Sequence, residues 1–466
     1  MLSQDNLLTS YEKFLKIAVQ KSVIAKRKSQ LASYCFSESQ NLLAEDFTHL
    51  LTDFSDGYYS SSNSDELLSV GNIVSISAEG ADRWQAIEKQ YSEFPKPFFN
   101  TEERQFVESP LFLTAVKFSE EKRSIEWMDF KNIEFYVPKF LILYKNNSLL
   151  FRFNALLDSA FSVESSILEF ANILKQVLGE NHVSKKRSAN ILKRVILPTN
   201  DKEKWNRNVE KALSEIKNNS LTKVVLARRI SLTIDSQNYV EELLVRLKKN
   251  NPAANIFLIK KNNSVFFGAS PEILIELNEN TLRTEAIAGS RKRGLTLHED
   301  VQLENELLNS SKELHEQRSV LEFLLDNLNS VSSHVAFNET PRVKKLSSIQ
   351  HLSTTITAKL KNGSSFFTIL GNIFPTPAVC GFPKQNAKEL ISQLEDFDRG
   401  LYAGLVGWVS PASAKLIVAI RSALINKKTI FAYAGCGIVD GSNPANEFAE
   451  TETKFKTILS VLHEEN

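Results

Sequence analysis

The chain is 466 residues long, 42% hydrophobic and 24% charged, with a formal net charge of +1. So even a balance offers no electrostatic footprint for nucleic acid or for an anionic membrane surface. No apolar run reaches the roughly 18 residues of a membrane span, and the N-terminus lacks the apolar core of a secretory leader.

Helical periodicity opens the chain at Leu7, Tyr11, Phe14, Leu15 and Val19, and the Ser/Asp-rich stretch Ser60–Asp65 reads as an exposed loop. From about residue 71 to 155 the pattern becomes strand-like. Val74–Ser77 alternates, and the runs Phe140–Tyr144 and Leu149–Phe153 flank Asn146-Asn147-Ser148 as a hairpin. Residues 162–180 predict a helix, and the basic, serine-containing stretch 184–194 predicts a connection. Next come a helix face at Trp205, Val209, Leu213 and Ile216 and a β-branched strand over Lys223–Ile234. A hairpin follows about Lys261-Asn262-Asn263, then strands at Ile273–Leu277 and Thr281–Ile287. One long amphipathic helix is expected from His298 to Leu328. Asn443-Pro444 starts a last helix, with Asn as cap and Pro in the first position. Helices interleaved with hairpins predict an α+β fold with large antiparallel sheets.

The chemistry-bearing residues cluster after residue 201. Glu313/Glu316 and Glu447/Glu450 are carboxylate pairs at i,i+3 spacing, which places each pair on one helix face. Four such oxygens brought together suit a hard divalent cation such as Mg2+, although paired glutamates are also ordinary on solvated helices. Lys223 opens an apolar strand. A lysine there usually snorkels, yet a partly buried one can serve as a base. Glu272, between a turn and a strand, either decorates the turn or, if burial raises its proton affinity, donates a proton near neutrality. Ala288-Gly289-Ser290 and Ala434–Gly437 read as small-residue turns that let backbone amides approach an anion. His351 and Arg421 interrupt apolar strand patterns, and a buried arginine needs an acidic partner from protein or substrate. The cysteines Cys35, Cys380 and Cys436 show no metal-like spacing, and an odd count argues against a disulfide scaffold. Nucleotide-binding glycine loops, HExxH and a Ser-His-Asp signature are absent from the sequence.

The motifs also fall in a fixed order. KVVLAR at Lys223–Arg228, GASPE at Gly268–Glu272, AIAGS at Ala286–Ser290 and His315-Glu316 come first. QHL at Gln350–Leu352, FPTPAVCG at Phe374–Gly381 and RGLYAGLVGW at Arg399–Trp408 follow. AIR at Ala419–Arg421, and GCGIV at Gly435–Val439 with NPANEFAE at Asn443–Glu450, complete the series. This series resembles the chorismate-utilising enzymes, which include isochorismate and salicylate synthases and the large subunits of anthranilate and aminodeoxychorismate synthase. The resemblance is strong over about residues 201–462 and diffuse upstream, where Phe118 through Trp127 and Phe130 is similar to the family's N-terminal strands.

The resemblance implies a sandwich of large antiparallel sheets with helices outside. It divides the chain into an N-terminal part (1–195) and a chorismate-binding catalytic region (196–466) within one integrated unit. Lys223 matches the lysine that activates water in isochorismate and salicylate synthases, and Ala288 stands where aminodeoxychorismate synthases carry a nucleophilic lysine. Ala378 matches isochorismate synthases, salicylate synthases tending to have Thr there. The implied activity is Mg2+-dependent, reversible conversion of chorismate to isochorismate. Lys223 is the base, Glu272 the acid, Glu316 and Glu450 direct ligands, and Glu313 and Glu447 water-mediated ones. Gly289, Ser290, His351, Ala378, Tyr402, Arg421 and Gly435 are implied to hold substrate. A salicylate synthase and a non-catalytic chorismate-binding member are the alternatives. Phe448 replaces a common Trp and keeps an aromatic plug. A soluble cytoplasmic monomer without a glutaminase subunit, binding neither nucleic acid nor membrane, completes the expectation.

Overall fold

The computed structural model describes residues 4–24, 29–38, 43–62, 65–94, 98–99, 110–121, 124–145, 147–178, 192–196, 201–234 and 239–462. Among these residues, 21 strands connect into one ladder, with helices packed around it. Pairing is antiparallel except for a short parallel contact between Gln30–Glu38 and Phe98–Phe99. The fold is therefore mixed α+β with a large antiparallel sheet.

The ladder branches at Ile133–Lys145, which pairs with Glu66–Ala78, Ser148–Leu157 and Phe112–Val116. One arm continues through Asp56–Ser61, Asn255–Lys261, Ser264–Ser270, Ser422–Asn426 and Thr429–Ile438 to Lys223–Ile234. The other runs through Leu405–Val409, Ser413–Val418, Ile273–Asn278 and Thr281–Lys292 to Ile349–Leu360.

Side-chain alternation explains how the first arm is buried on both faces. In Asn255–Lys261, Phe257 and Ile259 join the core shared with the second arm, while Ile256 and Leu258 join a second core. Helices Gln4–Ile24, Val163–Leu178, Val240–Asn250 and Pro444–Leu462 cover that second core. Two arms of one ladder facing one another, with helices outside, form the expected sandwich. No helix among the described residues is long and apolar enough to cross a membrane.

Several local expectations change. The helix expected over His298–Leu328 is two helices, Leu297–Leu308 and Ser311–Val331, because the Ser310 hydroxyl accepts from the Glu313 amide and starts a new helix. Ala288–Ser290 is a bulge inside strand Thr281–Lys292, where the register shifts, rather than a turn after it. Ala434–Gly437 lies within strand Thr429–Ile438. Arg421 lies between strands, in left-handed backbone at φ 52°. Ser60 and Ser61 end a strand and Glu66 begins its hairpin partner, residues 63–64 lying outside the described residues. Asn146 of the predicted hairpin turn also lies outside them, as do residues 184–191 of the predicted connection, whose remainder enters strand Leu192–Ile196. Trp127 is buried in a short 3-10 turn, Ile125–Trp127, not in a strand.

Candidate active site

The chain crosses between the two arms twice, side by side. One crossing joins strands Ser264–Ser270 and Ile273–Asn278 and carries Glu272; the other joins Ser413–Val418 and Ser422–Asn426 and carries Arg421. They are laced together: Ser270 Oγ donates to the Val418 carbonyl at 2.6 Å, Val418 N to the Glu272 carbonyl at 3.0 Å, and Ala269 N to the Arg421 carbonyl at 3.1 Å. Both side chains therefore stand at the seam of the sandwich, where a narrow cavity of about 70 Å³ opens.

Glu272 is buried at this seam. Burial pushes its carboxyl up to about 7, against the opposing pull of Lys223 and Lys344. It is thus poised to carry a proton near neutrality. Arg421 is also buried, and burial lowers its guanidinium to about 10. One terminal nitrogen donates to His351 Nε2 at 3.3 Å, while the other, Nη1, is buried with no hydrogen-bond partner among the described residues. A buried donor left without a partner is costly, and an anionic group entering the cavity would satisfy it.

His351 sits on strand Ile349–Leu360, directly across from Ser290 in register. Its Nδ1 lies 3.2 Å from the Gly289 carbonyl and 3.1 Å from Ser290 Oγ. A guanidinium only donates and a carbonyl only accepts, so this arrangement assigns the neutral ring with hydrogen on Nδ1. Burial, and then Arg421, hold the ring well below its ordinary value, which agrees. Gly289 makes the bulge possible: it has φ +75°, and a Cβ there would meet Glu313 at 3.1 Å.

Lys223 begins its strand as expected, and its Nζ forms a 2.7 Å ion pair with Glu316 Oε1 on helix Ser311–Val331. Burial raises Glu316, but Lys223 together with Lys454 and Lys312 outweighs it, so the carboxyl lies below its ordinary value. The pair is packed against Gly437, where a Cβ would come within 2.7 Å of Glu316 Oε1 and 2.9 Å of Lys223 Cε.

The two glutamate helices do meet. Lys312 of the first is bonded to Glu447 of the second at 3.1 Å. Glu313 accepts from the Ser290 amide at 2.9 Å, and Glu450 pairs with Lys454 at 2.6 Å. As these side chains are turned, no three of His, Cys, Asp or Glu among the described residues converge closely enough to hold a metal ion. The donor set nevertheless fits a hard cation. Burial raises Glu313, and Glu316 and Glu450 raise it further; burial and then Glu450 do the same to Glu447. This is mutual repulsion among carboxylates from two helices, which a divalent ion would relieve.

Ten of the expected site residues line the seam cavity: Glu272, Gly289, Ser290, Glu316, His351, Ala378, Tyr402, Arg421, Gly435 and Glu450. Lys223 reaches it through Glu316, whereas Glu313 and Glu447 are not part of the lining and are bonded to the Ser290 amide and to Lys312. A larger cavity of about 470 Å³, lined by Tyr58, Arg283, Trp408 and Lys415, contains none of the predicted site residues. The concentration of buried titratable groups, rather than volume, marks the seam as the candidate site.

A family model described as chorismate binding enzyme matches residues 18–463. The chain belongs to this family of chorismate-binding enzymes. The match extends far upstream of the segment 201–462 in which the motifs are dense. Isochorismate synthase MenF of Bacillus subtilis is 31% identical over 396 residues, covering 84% of this chain and 83% of the relative. Isochorismate synthase MenF of Haemophilus influenzae is 39% identical over 263 residues, 56% of this chain and 61% of the relative. Anthranilate synthase component 1 of Saccharolobus solfataricus is 33% identical over 265 residues, 56% of this chain and 62% of the relative. Among solved structures, the menaquinone-specific isochorismate synthase MenF of Escherichia coli superimposes with a TM-score of 0.75. It is 22% identical, covering 96% of this chain and all of that one, and so bears on the fold.

In this chorismate-binding chain the structure adds Lys454, which sequence reading missed. Its ammonium bonds Glu450 and, at 2.8 Å, the Gly435 carbonyl, and it lines the cavity. The signal was present: Lys454 lies four residues after Glu450, on the same helix face.

Proposed function

We propose that this chorismate-binding enzyme is an isochorismate synthase, converting chorismate reversibly to isochorismate in a Mg2+-dependent reaction. The observation that carries the reading is one cavity lined by a buried Glu272, by Arg421 with its Nη1 unbonded among the described residues, and by Glu316, the partner of Lys223. The relatives named as isochorismate synthases support it, and the anthranilate synthase relative keeps the wider family in view.

In this reading Arg421 takes a substrate carboxylate, steered by neutral His351 and the Gly289–Ser290 bulge. Glu316 and Glu450 would hold Mg2+, with Glu313 and Glu447 acting through water. Bound there, the ion would neutralise and fix the ring carboxylate. Lys223 takes a proton from water as its oxygen adds at C2, the double bonds shift, and the C4 hydroxyl leaves as water with a proton from Glu272. Glu316, the ion-pair partner of Lys223, is also the expected metal ligand. Ala378 leaves the cavity wall without a hydroxyl. A cytoplasmic monomer acting without a glutaminase subunit belongs to the same reading.

The test is incubation of the purified protein with chorismate and Mg2+, followed by chromatographic identification of the product. Isochorismate supports the reading. Salicylate would make the protein a salicylate synthase, and recovery of unchanged chorismate would overturn the catalytic assignment.

A further inference from the structure

Beside Glu272, and outside the cavity lining, lies a charge pair that none of the site motifs contains. Lys344, on strand Arg342–Lys345, bonds Glu285 Oε2 at 2.6 Å and donates to the Pro271 carbonyl at 2.8 Å. That carbonyl belongs to the peptide leading directly into Glu272. Glu285 is buried on strand Thr281–Lys292, three residues before Ala288, and neither member of the pair lines the cavity.

We propose that Lys344 and Glu285 are positioning residues which fix the Pro271–Glu272 peptide and set the pH at which Glu272 gives up its proton. This inference rests on the isochorismate synthase reading for Glu272's role as the acid. The geometry supplies the mechanism. Lys344 anchors the backbone at the root of the Glu272 side chain, so its positive charge stays at a fixed short range. Glu285 holds Lys344 there and partly cancels its field. The other charged groups facing Glu272 are Lys223 from its strand, Lys454 from the last helix and Arg421 from the adjacent crossing. Lys223, Arg421 and Lys454 are bonded to Glu316, His351 and Glu450, whereas Glu285 is bonded to Lys344 and, at 3.5 Å, to the exposed Arg342. A cation near a carboxyl favours its ionised form, and an anion does the reverse. Losing Lys344 therefore raises the pH at which Glu272 ionises, and neutralising Glu285 lowers it.

The experiment is a pH profile of chorismate turnover at saturating Mg2+ for the wild type, Lys344→Met, Glu285→Gln and Lys344→Arg. The alkaline limb is expected to move up by about half a pH unit or more in Lys344→Met and down in Glu285→Gln. Lys344→Arg should keep it near the wild-type position. Opposite shifts from two neighbouring substitutions are not produced by loosening of the fold, which would lower the rate at every pH. Unmoved limbs, or shifts of the same sign, overturn the proposal. Should Lys344→Met fail to fold, the Glu285→Gln and Lys344→Arg profiles still decide it. A wild type that leaves chorismate unchanged instead overturns the functional reading on which the proposal rests.

Discussion

Lys223 and Glu316 are joined by a 2.7 Å ion pair that ties the start of a strand to the second turn of a helix beside the cavity. Residues assigned to two different tasks, base and metal ligand, are thus each other's partners. Lys223→Ala should reduce product formation by at least about 10²–10⁴-fold, the usual weight of a general base. It should also destabilise the protein, by less than the about 3–5 kcal/mol of a fully buried pair, because the partly buried Glu316 loses its nearest cation. Product chromatography and urea unfolding read the two effects separately. Near-normal turnover in the variant would remove Lys223 from the role of base.

Glu272 gives a pH dependence of definite sign. Burial raises its folded value to about 7, so the protonated form needed for the forward reaction declines as pH rises through 7. Between the ordinary carboxylate range and 7 the folded state holds a proton that the unfolded state has released. Stability therefore falls as pH rises across that window. Glu272→Gln should abolish forward turnover and flatten the stability profile there. Denaturant midpoints between pH 5 and 8 test the second half, and an unchanged slope would count against it.

Much of this site was legible in the sequence, for identifiable reasons. Residue type and spacing make Lys223, Glu272 and the four glutamates candidates only, and the ordered motifs of the family resemblance single them out. The break before Ser311 was legible too, since Ser310 followed three residues later by Glu313 is a capping signature; the continuous apolar periodicity on either side masked it. Three features were not legible. The orphaned nitrogen of Arg421 depends on what faces it across the sandwich. The left-handed backbone at Arg421 replaces an expected strand because the chain must change arms there. The Lys344–Glu285 bond joins residues 59 apart, which no local pattern encodes.

Metal binding should be visible without turnover. Glu313 and Glu447 are raised by burial and by neighbouring carboxylates, so a divalent ion gains by relieving that repulsion. Mg2+ at about 100 times its dissociation constant should stabilise the wild type by about 2.7 kcal/mol. Glu450→Gln should lose most of that stabilisation together with Mg2+-dependent activity. Thermal unfolding with Mg2+ or with chelator makes the comparison. Equal stabilisation of the wild type and Glu450→Gln would exclude Glu450 as a ligand.

Phe448, between Glu447 and Glu450, is packed under the Arg228 guanidinium, whose carbon lies 3.7 Å from the ring centroid. Arg228 is buried and also bonds Thr451 Oγ1 at 2.7 Å, Glu452 at 2.6 Å and Asp201, so one side chain fastens the start of the last helix to strand Lys223–Ile234. A desolvated cation–aromatic contact contributes about 2 kcal/mol. Phe448→Leu should therefore lower stability by about that amount and weaken Mg2+ binding, since the helix bearing Glu447 and Glu450 loses its brace. Phe448→Trp keeps the aromatic face and should retain both properties. Calorimetric Mg2+ titration alongside urea unfolding separates the outcomes. A Leu variant with lowered stability but unchanged Mg2+ affinity would confine the contact to holding the fold.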